Sequence, residues 1–405
     1  MPAEMDNDGE LDSAAPPGVA GVAQAAILLA AVTLPVMGVI SLVPVLPELH
    51  RHFADVPGAD YLVPVALTIP GMCIALLSPF TGMLADRFGR RGLLLTALAF
   101  YGLFGVAPLL LDNLILIIAT RFGLGVAEAA IMTVTTTLTG DYFKEDERQK
   151  WVAAQAVAGS LAATLLFLAG GALGTLGWQG PFFLYALAVP VFFGAAKWLW
   201  EPSAARRPGR DDVDRSAFPW RSMVPVCAVT LACSVAFYAG PLQLGVRLSD
   251  LGITSASTIG IMAGLSSLGV PVGAFAFRRL RAPRVKTILT TVLLLIGIGL
   301  VVIGLTSTLP LIGFAMFVAQ VGCGILMPCL ITWCLAQLPF EHRGRGSGLW
   351  TSAFFLGQFI TPLVMAGLAD QHRGMAFAYL AVGAACLLAA IGAALSNRRV
   401  PAPSF

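Results

Sequence analysis

Apolar residues gather along the chain into twelve long runs separated by short polar breaks: 22–47, 61–83, 92–111, 113–140, 151–174, 181–200, 222–247, 255–277, 285–305, 309–337, 346–369 and 374–396. At about 1.5 Å of rise per residue, a helix of ~20 residues crosses the ~30 Å hydrocarbon core of a bilayer. A buried backbone in lipid must satisfy its own polar groups, so runs of this length predict helices. The expected fold is an all-α membrane protein of twelve transmembrane helices. Composition strengthens that reading. The 405 residues are 57% hydrophobic and only 12% charged, and the mean hydropathy is +0.83. That leaves too little polar surface to clothe a water-soluble globule.

The longest polar interruption, 201–221, falls near the midpoint and reads Glu-Pro-Ser-Ala-Ala-Arg-Arg-Pro-Gly-Arg-Asp-Asp-Val-Asp-Arg at its start. It predicts a cytoplasmic linker between two pseudo-symmetric six-helix bundles, 22–200 and 222–396, with an acidic, disordered cytoplasmic leader at 1–21 and a short cytoplasmic tail at 397–405. Features recur about 190–195 residues apart, as an internal repeat requires. Gly82 to Arg91 corresponds to the stretch from Gly273 to Arg279, Tyr142-Phe143 to Arg148 corresponds to Pro339-Phe340 to Arg345, and Phe183-Leu-Tyr185 corresponds to Phe377-Ala-Tyr379.

Lysines and arginines crowd into alternate loops. One side holds Arg87, Arg90, Arg91, Lys144, Arg148, Lys150 and the other basic residues of the even-numbered loops, while Arg51, Arg247 and Arg373 are assigned to the opposite side. The positive-inside rule then puts both termini in the cytoplasm. The net charge of +3 reflects this bias and gives no reason to expect a nucleic-acid partner. The first apolar run follows an acidic leader and lacks a basic n-region, so no cleavable signal is expected. All seven cysteines fall within apolar runs and read as small core residues. The histidines are placed in loops; His50 and His52 could bind a metal outside, but a hydrated loop pair is the favoured reading, and no metal site or cofactor is expected. No Walker-type glycine loop or HExxH motif is present, which argues against an enzyme.

The run Gly82-Met-Leu-Ala-Asp86-Arg87-Phe-Gly89-Arg90-Arg91 resembles the signature loop between the second and third helices of the major facilitator superfamily, G-x-L-a-D-r-x-G-r-r. The resemblance extends over nearly the whole chain and is strongest to the twelve-helix drug/proton antiporter branch. It implies a multi-pass protein of the bacterial inner membrane, working as a monomer by alternating access. A small organic compound (a drug, siderophore or metabolite) would be exported in exchange for protons. In that family the loop latches the outward-facing state, which carries over to Gly82, Asp86, Arg87, Gly89, Arg90, Asp141 and Arg148. Asp86 would face the start of the eleventh helix near Gly344–Gly348, where the helix dipole favours an anion. A loop that only sets topology is the alternative. The end of the fifth helix, with Gly170-Gly171 and Gly174, also resembles exporters, although Leu166-Phe167 stand where the antiporter motif has Gly-Pro.

Arg121 and Glu128 are the charged residues placed deep inside a span. Seven residues on a helix give about 20° of net rotation and about 10.5 Å of rise, so both share one face with Gly125 and Met132. Because a lipid-facing charge is costly, that face is expected to line the cavity between the bundles or to pack against another helix. Arg121-Phe-Gly-Leu-Gly125 resembles the fourth-helix pattern R-x-x-x-G of proton-coupled members. Glu128 is thus a candidate proton-coupling residue tuned by Arg121, and a permanent structural ion pair is the competing reading. Candidate substrate contacts on the first, fourth, seventh, tenth and eleventh helices are Thr33, Met37, Met132, Thr136, Phe237, Tyr238, Gln243, Gln320, Met327, Phe354 and Gln358. Two further functions stay open: proton-coupled uptake of an organic anion held by Arg121, and a sensor or scaffold that does not transport.

Overall fold

The structure, a computed structural model, describes residues 20–202, 218–279, 285–339 and 342–395. Most of the leader, the central part of the linker and the C-terminal tail lie outside the described residues. Twelve segments are long and apolar enough to cross a membrane: α1 Val22–His52, α2 Ala59–Ser78, α3 Arg90–Leu110, α4 Leu114–Tyr142, α5 Val157–Leu176, α6 Gly180–Trp198, α7 Trp220–Asp250, α8 Ala256–Arg279, α9 Val285–Leu305, α10 Leu309–Ala336, α11 Arg343–Ala369 and α12 Gly374–Leu395. No strand occurs among the described residues.

Local chemistry sets several of the boundaries. Asn113 caps α4, its side chain accepting from the amides of Ile115 and Leu116 at 3.0 and 3.1 Å, and Ser255 caps α8 through Thr258 N at 3.4 Å. Gly374, at φ +69°, separates α11 from α12. The signature stretch is shorter as a loop than the sequence suggests. The α2 helix runs on to Phe88 and α3 starts at Arg90, so the turn is the single residue Gly89, at φ +84°. Glycine suits that left-handed conformation because it has no Cβ to clash.

Two placements differ from the sequence reading. His50 and His52 belong to a helical turn, Leu46–His52, that continues α1. Arg247 is a buried residue of α7, with its guanidinium donating to Ile303 O at 3.3 Å and Thr306 O at 3.0 Å. It thereby caps the C-terminal end of α9, where free carbonyls and the helix dipole favour a cation. Arg121 and Glu128 are therefore joined by a third buried charge.

The first six spans pack among themselves, as do the last six, and the halves meet chiefly where α2 lies against α11 and α5 against α8. The repeat is visible in bonding as well as in order. Tyr185 of α6 donates to Gly38 O of α1 at 3.0 Å, and Tyr379 of α12 donates to Gly240 O of α7 at 3.0 Å.

Candidate functional site

The middle of α1 is shaped by a failure of regular hydrogen bonding. Its regular helix ends at Ile40, and Pro44 has no N–H to extend the ladder. Leu42 N turns to Val39 O, so Gly38 O is one of the carbonyls that a helix end leaves without its usual partner. Two buried side chains take it, the Tyr185 hydroxyl and the Arg121 guanidinium. Tyr101 of α3 adds a bond to Leu34 O at 2.6 Å one turn earlier. The cation of Arg121 thus sits at a helix C-terminal end, with its guanidinium carbon 5.1 Å from the ring centre of Tyr185 and 6.0 Å from that of Phe182. Such stacking adds a cation–π contribution.

Glu128 lies halfway along α4 and meets the same glycine. A Cβ on Gly38 would collide with its carboxylate, so only the absence of a side chain lets α1 and the acid come this close. Among the described residues Glu128 is the one buried carboxylate, and its Oε1 has no hydrogen-bond partner. Arg121 Nε and Nη1 are likewise unpartnered. The two residues make no ion pair with each other, the described pairs being His52–Asp112 and Arg90–Asp141. They share Gly38 as a meeting point, one at its carbonyl and the other at its Cα.

The pair does not occupy the crevice between the halves that the sequence suggested. Arg121 lines a void of about 10 Å³ with Leu42, Leu46, Leu49, Ala66, Leu67, Ile117 and Phe182, all from the first half. Gly125, on the same face, packs against Pro70 and Cys73 of α2. In this conformation the charged face of α4 is enclosed by α1, α2, α3 and α6.

Several candidate contacts in the second half do converge, near the middle of their spans. Phe237 and Tyr238 of α7 touch each other at 4.9 Å between ring centres, and each lies 5.4 Å from Phe354 of α11. Gln358 of α11 reaches across to α2, its Oε1 filling the space a Cβ on Gly71 would need. Gln320, Gln243 and Met37 are buried, and Met132 and Met327 half-buried. Thr33 and Thr136 bond their own helices, to Ala30 O at 2.7 Å and Met132 O at 2.8 Å.

At the end of the bundle that carries the termini, Arg90 pairs with Asp141, bringing together two residues of the expected latch. Arg87 is exposed with its guanidinium carbon 5.6 Å from the Phe88 ring centre. Arg148 is exposed in the first turn of the helix that leads into α5. The Asp86 side chain and the surroundings of Gly82 lie outside what the structure describes. Around Gly344 and Gly348 no described heavy atom stands within 4 Å of where a Cβ would be. Glu201 is a partner the sequence did not announce. Its two carboxylate oxygens accept from Arg90 N at 2.6 Å and Arg91 N at 2.8 Å, capping α3.

Comparison with known proteins agrees with this architecture. The chain belongs to the Major Facilitator Superfamily, whose family model matches residues 26–362 and 226–405; it is a transporter and not an enzyme. It is 25% identical to the tetracycline resistance protein, class C, of Escherichia coli, over 91% of this chain and 95% of that protein. It is 25% identical to the 3-(3-hydroxy-phenyl)propionate transporter of E. coli K12 over 70% of this chain and 72% of the relative. The inward-open conformation of the xylose transporter XylE from E. coli superposes with a TM-score of 0.73 at 14% identity, covering 93% of this chain and 96% of that one.

Proposed function

We propose that the protein exports a small organic molecule from the bacterial cytoplasm in exchange for protons, with Glu128 as the proton-carrying group. The observation that carries this reading is Glu128 itself, the one buried acid among the described residues, at mid-span with one oxygen unpartnered. A proton gained or lost there changes a full charge inside the bundle. An uncompensated buried charge costs several kcal/mol, so the two protonation states favour different packings of α4 against α1. Arg121, already fixed on the frayed end of α1, couples that change to the helix it caps. Each charge crossing the membrane supplies about 2.3 kcal/mol per 100 mV, enough to drive uphill export. The relative named for tetracycline resistance supports the export direction.

The test uses proteoliposomes with an imposed pH gradient. Glu128→Gln is expected to abolish gradient-driven accumulation while ligand binding at equilibrium persists. Gradient-driven accumulation at the wild-type rate in Glu128→Gln would remove the proposed role.

A second reading, proton-coupled uptake of an organic anion, draws on the two unpartnered guanidinium nitrogens of Arg121 and on the hydroxyphenylpropionate relative. Either nitrogen can donate a charge-assisted hydrogen bond to a carboxylate. Under this reading Arg121→Lys abolishes binding of carboxylates but leaves neutral ligands unaffected; under the export reading it impairs coupling for both.

A further inference from the structure

Accepting the reading of the chain as a transporter of small organic molecules, we propose that substrate is recognised by the second half, on a neutral aromatic surface that takes a planar ring system carrying a hydrogen-bond acceptor. The surface is built on α7 and α11. Trp350 stacks on Phe354 at 5.7 Å and 19°, and Phe354 in turn contacts Phe237, Tyr238 and Phe355 at 5.4, 5.4 and 6.0 Å. The cluster is fixed from behind. Ser234 of α7 donates to Phe354 O at 2.5 Å, and Cys323 of α10 points its thiol at Phe237 O at 3.8 Å, the carbonyl that Pro241 leaves without its helical donor. Phe237, Tyr238 and Phe355 remain half-buried, so each keeps some surface that protein atoms do not cover. Phe355 O also lies by Gly71 of α2, which puts the cluster beside the seam between the halves, where an alternating-access site belongs.

Trp350, stacked on Phe354, gives the surface a hydrogen-bond donor. The indole N–H groups of Trp350 and Trp333 are buried and have no acceptor. Both sit along the contact between α10 and α11, where the Cys334 thiol meets Gly346 O at 3.7 Å, one residue after Trp333 and one turn before Trp350. A buried N–H without an acceptor forfeits its hydration with no return, and such unpaired groups in native proteins call for an explanation. An acceptor oxygen on the ligand supplies one. Charge plays no part here: among the described residues Arg247 is the one buried charged side chain of α7–α12, and it is committed to α9 at the other end of α7. Aromatic rings stack favourably on such a surface in offset or edge-on arrangements.

Fluorenone and fluorene have the same flat rings and differ by the carbonyl acceptor. Their binding is measured at equilibrium and fixed pH to the full-length protein in nanodiscs, with binding to empty nanodiscs subtracted. Fluorenone is expected to bind about five- to tenfold tighter than fluorene, the scale of one hydrogen bond. That ratio falls towards one in Trp350→Phe, which keeps a ring and removes the donor. Phe237→Leu weakens both ligands alike. Glu128→Gln leaves the ratio unchanged, so failure of proton coupling and failure of this surface register separately. A ratio that Trp350→Phe does not alter, or the absence of saturable binding by either compound, overturns the proposal.

Discussion

Gly38 shows how much one residue without a side chain can organise. Its carbonyl receives Arg121 and Tyr185, and its Cα receives the carboxylate of Glu128. The carbonyl is available because the α1 helix frays ahead of Pro44. The hydrogen-bonding tyrosine recurs as Tyr379 on Gly240, and that recurrence separates structural from functional roles. Tyr379 has Arg247 and Asp250 as charged neighbours in place of Arg121 and Glu128, and neither carries the proposed proton, so its hydroxyl serves packing. Tyr185→Phe and Tyr379→Phe each remove one buried hydrogen bond and should lower stability by about 1 kcal/mol, read from denaturant unfolding in detergent. Only Tyr185→Phe should also alter the pH dependence of transport, because only it lies against Arg121. Equal effects of both on the pH profile would contradict that division. The sequence exposed Arg121 and Glu128 because charge within an apolar run is conspicuous, whereas Gly38 is one glycine among 43 and only the contacts single it out.

At the scale of elements, the junction of α2 and α3 is held by a residue 111 positions away in sequence. Glu201, just past α6, accepts from two successive amides at the start of α3, where unpaired N–H groups and the dipole favour an anion. Nearby, the Arg91 guanidinium donates to Ala196 O at 2.7 Å, and Tyr142 bonds Trp200 O. The start of the linker is thereby fastened to the same corner in which Arg90 pairs with Asp141. The order of charges around Gly89 was legible from the loop motif. The tether was not, because no periodicity or spacing links a linker glutamate to a helix N-terminus formed so much earlier. Arg247 was misplaced for a related reason: its charge ended an apolar run, yet the helix continues and buries it against carbonyls of α9. Glu201→Gln retains the side-chain length but loses the charge and one acceptor oxygen. It should destabilise the corner by about 1–2 kcal/mol and speed proteolytic cleavage of the linker severalfold, while Glu10→Gln in the leader leaves the cleavage rate unchanged. Cleavage at the wild-type rate in Glu201→Gln would show that the carboxylate does not hold the linker.

Across the whole molecule, the halves touch through small residues towards the end away from Gly89. A Cβ on Gly171 of α5 would stand 2.9 Å from Gly260 Cα of α8, and one on Gly174 would stand 2.7 Å from the Ala256 Cβ. Gly245 of α7 approaches Val43 O of α1 in the same way, at 3.1 Å, and Thr164 and Ser267 share a hydrogen bond at 2.7 Å. Small residues allow membrane helices this degree of backbone approach. At the opposite end no described atom of another helix lies within 4 Å of where a Cβ on Gly344 or Gly348 would stand. Under the proposed orientation, with the basic loops cytoplasmic, the end joined by these contacts is the outer one. The glycine contacts between α5 and α8 must then separate whenever the outside is open, so a bulky residue there penalises the closed state alone. Gly260→Leu should shift the resting population outward. Spin labels at Lys150 and Arg279, both exposed near the inner ends of the two halves, report the change as a shorter inner distance in double electron–electron resonance. Proton-coupled transport should fall at least tenfold, since overpacking at a backbone contact costs about 1–3 kcal/mol. Equilibrium binding on the aromatic surface should stay within a few-fold of wild type, because α7 and α11 are untouched. An inner distance unchanged by Gly260→Leu would mean that α5 and α8 stay together throughout the cycle, and that the halves part along α2 and α11 instead.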